Sequence, residues 1–311
     1  MKMTPRTIAT VLILLFLGCV PLYAQIAGEP FYLALFGRVL VYAIAAVSLN
    51  LLLGYGGLVS FGHALFLGLG AYSVGILSHH GIDNGWLHVL AAIVVCGVVG
   101  LISGAVVLRT TGIAFIMITL AFAQMFYFLT VSLNEYGGDD GMSIFQGGNF
   151  GIVKLDDPLA LYYTSFVLLL VLLFAMHKLI GSRFGMVIRG TQTNERRMKA
   201  MGFAPLPYKL TAYVLSAIVC GLAGVLIANL TLYISPSYLA WTTSGELVVM
   251  VVLGGLGTLM GPVAGAVAFL IMEEVLKAWT EHWMLVLGFI IVVIVMVSRR
   301  GIIGNLPGDS R

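Results

Sequence analysis

Ten long apolar runs, separated by short polar breaks, constrain this chain more than any other feature. They are Ile8–Ile26, Leu33–Leu53, Leu58–Leu77, Trp86–Leu108, Ile113–Leu133, Leu159–Ile180, Leu210–Ile234, Leu247–Leu256, Pro262–Lys277 and Trp283–Ser298. A membrane-crossing helix needs about 20 mostly apolar residues. Inside lipid the backbone has no water to bond, so a run of this kind satisfies itself as a helix. The expectation is an all-α polytopic bundle with eight to ten spans in one domain over residues 1–311. The range is open because the eighth and ninth runs are short, and could form one interrupted or re-entrant unit. Composition agrees: 60% of residues are hydrophobic and 9% charged, which excludes an ordinary soluble domain. Cys19, Cys96 and Cys220 fall in separate apolar runs. They read as small core residues, not as a disulfide set or a metal site.

Charge sets the expected orientation. With the N-terminus inside, thirteen of the sixteen Lys/Arg fall in cytoplasmic segments: Lys2, Arg6, Arg109, Lys178, six between Gly181 and Lys209, Arg299, Arg300 and Arg311. Of the thirteen acids only Glu195 and Asp309 join them, while Glu29, Asp83, Glu135, Asp139, Asp140, Asp156, Asp157, Glu246 and Glu281 fall outside. Both termini are then cytoplasmic by the positive-inside rule, for eight spans or for ten. Lys2 and Arg6, an apolar run and the stretch Leu22-Tyr-Ala24 also resemble a signal peptide, although the run continues to Ala27. Leu22 is a poor cleavage-site residue, which favours an uncleaved first span.

The segment Gly181–Lys209 does not belong in a membrane. It holds six Lys/Arg and one carboxylate, Glu195. Within it Thr193–Met201 has helical length, and Gly202 and Pro205 stop it. Glu195 and Lys199 are spaced i,i+4 in the order that suits the helix dipole. A short helix held out by a bundle is a docking surface. On the other face, Asn134–Pro158, with the Gly- and Asp-rich turn Tyr136–Gly141, reads first as a solvated connector and second as a cation or partner site.

The spans carry few ionisable groups. Arg38 lies in the second and His63 in the third. Glu273 and Glu274 sit near the outer end of the ninth, with Lys277 one turn on. No carboxylate stands at a clear midplane position, which argues against a proton- or sodium-coupled carrier. There is no GxxxxGK[ST] loop, HExxH, CxxC or GxSxG, so the chain is not expected to be an ATPase or any other enzyme. Asn50, Ser60, His63, Thr119 and Gln124 are polar and intramembrane. They are candidates for a translocation path, although such residues more often bond neighbouring helices. GxxxG steps at Gly100–Gly104 and Gly257–Gly261–Gly265 read as close helix packing. Two Gly-rich turns, Leu53–His63 and Leu253–Pro262, fall at one expected membrane face and look weakly alike. Paired interruptions of this kind often border a transport path.

Several of these stretches together resemble a known family. Ser48–Tyr72, Ser182–Arg189, Tyr208–Ala217 with Gly221–Gly224, and Met250–Pro262 are similar, in order, to the signatures of Liv-type ABC importer permeases of the branched-chain amino acid group, with the arrangement of the M-type subunit. The resemblance runs from about Leu33 to Asn305. It implies a bacterial inner-membrane, multi-pass subunit that moves branched-chain amino acids, or related small polar solutes such as amides, urea and carboxylates, by alternating access. It implies three kinds of partner besides the bilayer: a second homologous permease, two cytoplasmic ATPases that use ATP and Mg, and a periplasmic solute-binding protein. No cofactor in this chain and no nucleic-acid partner are expected. The family pattern NExxxxAxG falls on Asn194, Glu195, Ala200 and Gly202, so the resemblance implies that the basic segment is the part entering the ATPase. This chain departs from the family in having Arg196, Arg197, Met198 and Lys199 after the Glu, where small residues are common. The departure implies a more acidic partner surface. The stretch after the fourth span is thinned to Arg109–Phe115, and the usual TGGxxGL is Tyr136–Met142. The alternatives are a carrier working alone, or a membrane scaffold that recruits a cytoplasmic protein.

Overall fold

The computed structural model describes residues 5–144, 146–151, 155, 157–297 and 301–304. Lys2, Asp156, Ser298, Arg299, Arg300, Asn305, Asp309 and Arg311 lie outside the described residues. Thirteen α-helices account for most of the described chain: α1 (Pro5–Ala27), α2 (Pro30–Leu53), α3 (His63–His79), α4 (Gly85–Val107), α5 (Ile113–Ser132), α6 (Pro158–Gly181), α7 (Arg183–Thr193), α8 (Glu195–Ala200), α9 (Pro205–Thr231), α10 (Trp241–Gly254), α11 (Gly261–Trp279), α12 (Trp283–Val297) and α13 (Gly301–Gly304). The only sheet among them is a two-residue antiparallel pair, β1 (Met142–Ser143) with β2 (Tyr233–Ile234).

Each of the ten apolar runs lies on its own helix. Six helices, α1, α2, α4, α5, α6 and α9, are long and apolar enough to cross a membrane. The others are shorter or more polar. α3 has 17 residues, α10 has 14 and α12 has 15, and α11 carries Glu273, Glu274 and Lys277 near its end. The third run starts five residues later than its composition indicates, because Leu58–Gly62 is non-helical and His63 opens α3. The eighth reaches back to Trp241, and α10 and α11 are two helices packed on one another.

α2 and α9 form the centre. α9 packs against α2, α3 and α4, and α2 is buried from Phe36 to Leu53 but for Arg38. Small residues allow this closeness. A methyl added at Gly70 would overlap the Gly221 carbonyl, and one at Gly224 would overlap that of Leu67. α3 and α9 therefore touch backbone to backbone. The GxxxG step Gly100–Gly104 packs as expected, meeting Ala217 and Tyr213. Gly257, however, lies in the turn before α11 at φ +69°, so only Gly261–Gly265 of the second pair is helical. Gly265, with Gly254, brings α10 onto α11. α1, α4, α5 and α12 turn large apolar side chains outward, among them Leu12, Leu101, Phe128 and Phe289. This suits a lipid or subunit surface and not water.

The bundle has two unlike ends. One carries α7, α8 and the two Gly-rich turns. The other carries the Asn134–Pro158 connector, which is more than a solvated loop. Met142 and Ser143 pair with Ile234 and Tyr233, Asn84 bridges Asn149, and the Asn229 side chain accepts from the Gly148 amide at 2.7 Å. The connector is thus pinned across the ends of α4 and α9.

Candidate functional site

The basic segment folds into two helices, not one. Ser182 caps α7, its hydroxyl oxygen accepting from the Gly185 amide. α7 is amphipathic: Gly185, Val187, Ile188 and Thr191 are buried, while Arg183, Met186, Arg189 and Gln192 are not. The expected helix Thr193–Met201 is instead α8, six residues long, with Thr193 closing α7. The break falls at Asn194, whose backbone is extended and whose side chain accepts from the Arg197 amide at 3.0 Å. An Asn in that role starts a helix anew.

α8 ends on Gly202, at φ +86°. The Gly202 amide donates to Lys199 O at 3.0 Å and the Phe203 amide to Met198 O at 3.1 Å. This is a Schellman closure, which needs the left-handed backbone that glycine adopts freely. Pro205 then opens α9 at a position where its missing N–H costs nothing.

The two faces of α8 differ. Met198 is buried against α7, beside Gly190. Glu195 binds Lys199 at 2.9 Å, as its spacing predicts, and also Lys209 of α9 at 2.7 Å. The Lys209 ammonium, and after it Lys199, hold the Glu195 carboxyl below its ordinary pKa. Arg196, Arg197 and Ala200 are exposed. α8 is therefore fastened to the bundle by one carboxylate and presents two guanidinium groups away from it.

The fastening continues inward. Gln192 of α7 donates to the Gly54 carbonyl at 3.4 Å, at the start of the first Gly-rich turn. The second turn lies against the first. A methyl at Gly54 would crowd both the Asn50 side chain and the Gly257 amide. The Asn50 side chain joins them, accepting from the Gly257 amide at 3.1 Å and donating to Thr258 O at 2.9 Å.

The intramembrane polar residues are brought together only in part. His63 is fully buried, with Nε2 2.7 Å from Ser216 Oγ and Nδ1 3.4 Å from Ser60 Oγ. Ser216 donates its hydroxyl to Ser48 O at 2.6 Å, so His63 must carry its proton on Nε2 and donate to Ser216. Nδ1 then accepts from the Ser60 hydroxyl, whose oxygen in turn accepts from the Gly62 amide at 3.2 Å. Thr119 donates to Ile116 O and accepts from the Phe61 amide at 3.2 Å, which ties the first Gly-rich turn to α5. Asn50, Ser60, His63 and Thr119 thus hold turn and helices together. Gln124 stands apart, half-buried on α5.

Two features at this level were missed in the sequence. Ser48 and Ser216, ordinary small residues there, complete the His63 chain. Arg38 reaches Glu273 at 3.3 Å, and Glu273 is buried and also bound by Lys277 at 2.6 Å. The acid near the end of α11 is therefore the anion of a charged network inside the bundle. Lys178, in the last turn of α6, lies over the Phe174 ring at 5.7 Å.

A multi-pass helical bundle with lipid-type outer faces, close backbone packing and a basic paired-helix projection suits a membrane transport subunit. The family described as the branched-chain amino acid transport system permease component matches residues 31–295, and the chain belongs to that family. It is 28% identical to the high-affinity branched-chain amino acid transport system permease protein LivM of Salmonella typhimurium, across 85% of this chain and 68% of that protein. It is 27% identical to the Escherichia coli LivM over the same shares. It is 26% identical to the Escherichia coli LivH, across 85% of this chain and 91% of that one. No solved structure matches significantly. The chain is accordingly a permease component of a branched-chain amino acid ABC transporter, a multi-pass protein of the bacterial cytoplasmic membrane.

Proposed function

We propose that α7 and α8 are the coupling element of this permease, and that Arg196 and Arg197 meet an acidic groove on a cytoplasmic ATPase. The supporting observation is the two-sidedness of α8. Glu195 and Met198 hold it to the bundle, while the two arginines are left exposed. Asn194, Glu195, Met198, Lys199, Ala200 and Gly202 shape and seat the helix. In this reading the chain is one of two permease halves. Two ATPases, using ATP and Mg, drive it, and a periplasmic binding protein delivers the solute. Both termini are then cytoplasmic. ATPase closure pushes α8 and α7, and the Gln192–Gly54 contact passes the movement to the Gly-rich turns. Those turns join α2, α3, α10 and α11, so a push there reorients four helices at once. Asn50, Ser60, His63 and Thr119 act in this scheme as the fastening about which the helices move, and Gln124 faces the path.

Reconstitution tests it. Proteoliposomes holding the permease pair and both ATPases, with binding protein outside and ATP inside, should accumulate L-leucine without any ion gradient. The chain alone should hydrolyse no ATP. Uptake by the lone chain driven by a proton or sodium gradient would establish a carrier instead.

A further inference from the structure

A cavity of about 400 Å³ lies between α2, α9 and α11, near the end of the bundle opposite α8. Its walls are not those of a lipid-facing dent. Arg38 and Tyr42 of α2 line it with Glu274 of α11, and the rest of the wall includes Leu35, Ile227 and Leu230. A cavity of this size, mostly apolar with a few convergent polar groups, has the make-up of a small-molecule site. Ionisable side chains within membrane helices point to function when they face a cavity.

The charges are arranged unequally. Glu273 is buried and satisfied by Lys277 at 2.6 Å, and it touches Arg38 through a single nitrogen at 3.3 Å. The Arg38 side chain remains 33% exposed and lies 5.5 Å from the Tyr42 ring centre. Beyond Glu273 and the neighbouring Tyr42, donors of its planar fork are left for another acceptor, and that fork matches a carboxylate. Glu274, the next residue on α11, makes no ion pair or hydrogen bond with any described residue. Glu246 of α10 adds a third carboxylate to the electrostatic surroundings of Arg38 and Lys277. The group then holds two cations and three carboxylates, which disfavours a plain anion. A ligand with a carboxylate for Arg38 and an ammonium for Glu274 meets both demands and adds no net charge.

We infer that this cavity is a solute-contact site of the permease itself, in which Arg38 takes the carboxylate and Glu274 the ammonium of a small zwitterion whose aliphatic side chain lies on Leu35, Ile227 and Leu230. The inference rests on the reading of the chain as half of a solute permease. It gives the membrane subunit its own discrimination, separate from that of any delivering protein.

The test measures equilibrium binding of tritiated L-leucine to the purified permease–ATPase complex, without binding protein. L-leucine should bind in competition with L-valine. Neither 4-methylpentanoate, which lacks the ammonium, nor 3-methylbutylamine, which lacks the carboxylate, should displace it at equal concentration. Glu274→Gln should weaken binding about tenfold, the usual scale for a lost charged contact. Ala34→Phe, which fills the cavity at another lining residue, should abolish it. Glu274→Gln is isosteric and breaks no ion pair, so its yield and elution volume verify folding. Undiminished binding by both variants, displacement by either singly charged probe, or no binding at all by the wild-type complex would overturn the inference. Uptake of L-leucine by the full system is scored separately. Its failure would remove the transport reading, whereas intact uptake with no binding to this complex would remove only the cavity.

Discussion

Lys209, near the start of α9, closes on Glu195, the first residue of α8, at 2.7 Å. The bond joins the projecting helix to a central helix of the bundle. The Glu195 side chain is 34% exposed, so each of its pairs is worth only about 0.2–1 kcal/mol. Their importance is positional.

The sign of the pH dependence follows. Lys209 and Lys199 lower the folded pKa of Glu195, so its contribution is complete above the ordinary glutamate range. It is lost as pH falls through the lowered value. Spin labels at Ala200 and Leu206 should keep one narrow distance distribution at neutral and mildly acidic pH, and broaden only below the ordinary range. Glu195→Gln should show the broad distribution at every pH. A wild-type transition at pH 6 to 7 would contradict the assignment to Glu195.

Gly202 should tolerate little. Its φ of +86° costs other residues about 1 kcal/mol or more, and proline cannot adopt it. Gly202→Pro should leave membrane levels normal and remove stimulation of the partner ATPases, with Gly202→Asn intermediate. Stimulation by the proline variant equal to wild type would show that the α8 closure has no bearing on coupling.

Asn50 joins two turns through one side chain. Asn50→Leu would leave the part-buried Gly257 amide and Thr258 carbonyl without their partner, at a cost of at most about 1–3 kcal/mol for each group. The detergent-purified variant should melt several degrees lower, and cysteines at Tyr55 and Thr258 should cross-link less than in the wild type. An unchanged melting temperature would mean that the turns are held together by other contacts.

Orientation can be read from labelling. Cys19 is exposed, and Cys96 and Cys220 are buried, so replacing all three gives a clean background. Single cysteines at the exposed positions Asp139 and Arg196 should label from opposite sides of the membrane with an impermeant thiol reagent. Labelling from the same side would reverse the assignment of α8 to the cytoplasm.

What could be read in the sequence was local. The Glu195–Lys199 pair needs only a count of four, and it is present. The apolar runs found their helices because hydropathy over about 20 residues reports burial in lipid directly. α7 escaped notice. Gly185, Gly190, Thr191 and Thr193 weaken its helical signal, and its stability comes from packing Val187 and Ile188 inward. The break at Asn194 was hidden because Asn is tolerated both within helices and at their starts. Long-range partners left no trace. Arg38 and Glu273 are 235 residues apart, His63 and Ser216 are 153 apart, and only the fold brings either pair into contact. The two Gly-rich turns lie between these cases. Their likeness was visible in the sequence, but their contact through Asn50 was not.

The coupling role of α8 is tested most directly by charge reversal in the assembled transporter. Arg196→Glu with Arg197→Glu changes only the exposed face of the helix and leaves the Glu195, Lys199 and Lys209 cluster in place. ATP hydrolysis stimulated by loaded binding protein is measured at equal membrane levels of all subunits. The account predicts that stimulation falls to the unstimulated rate, and that acidic-to-basic changes on the ATPase groove restore part of it. Wild-type stimulation by the reversed helix would contradict the account.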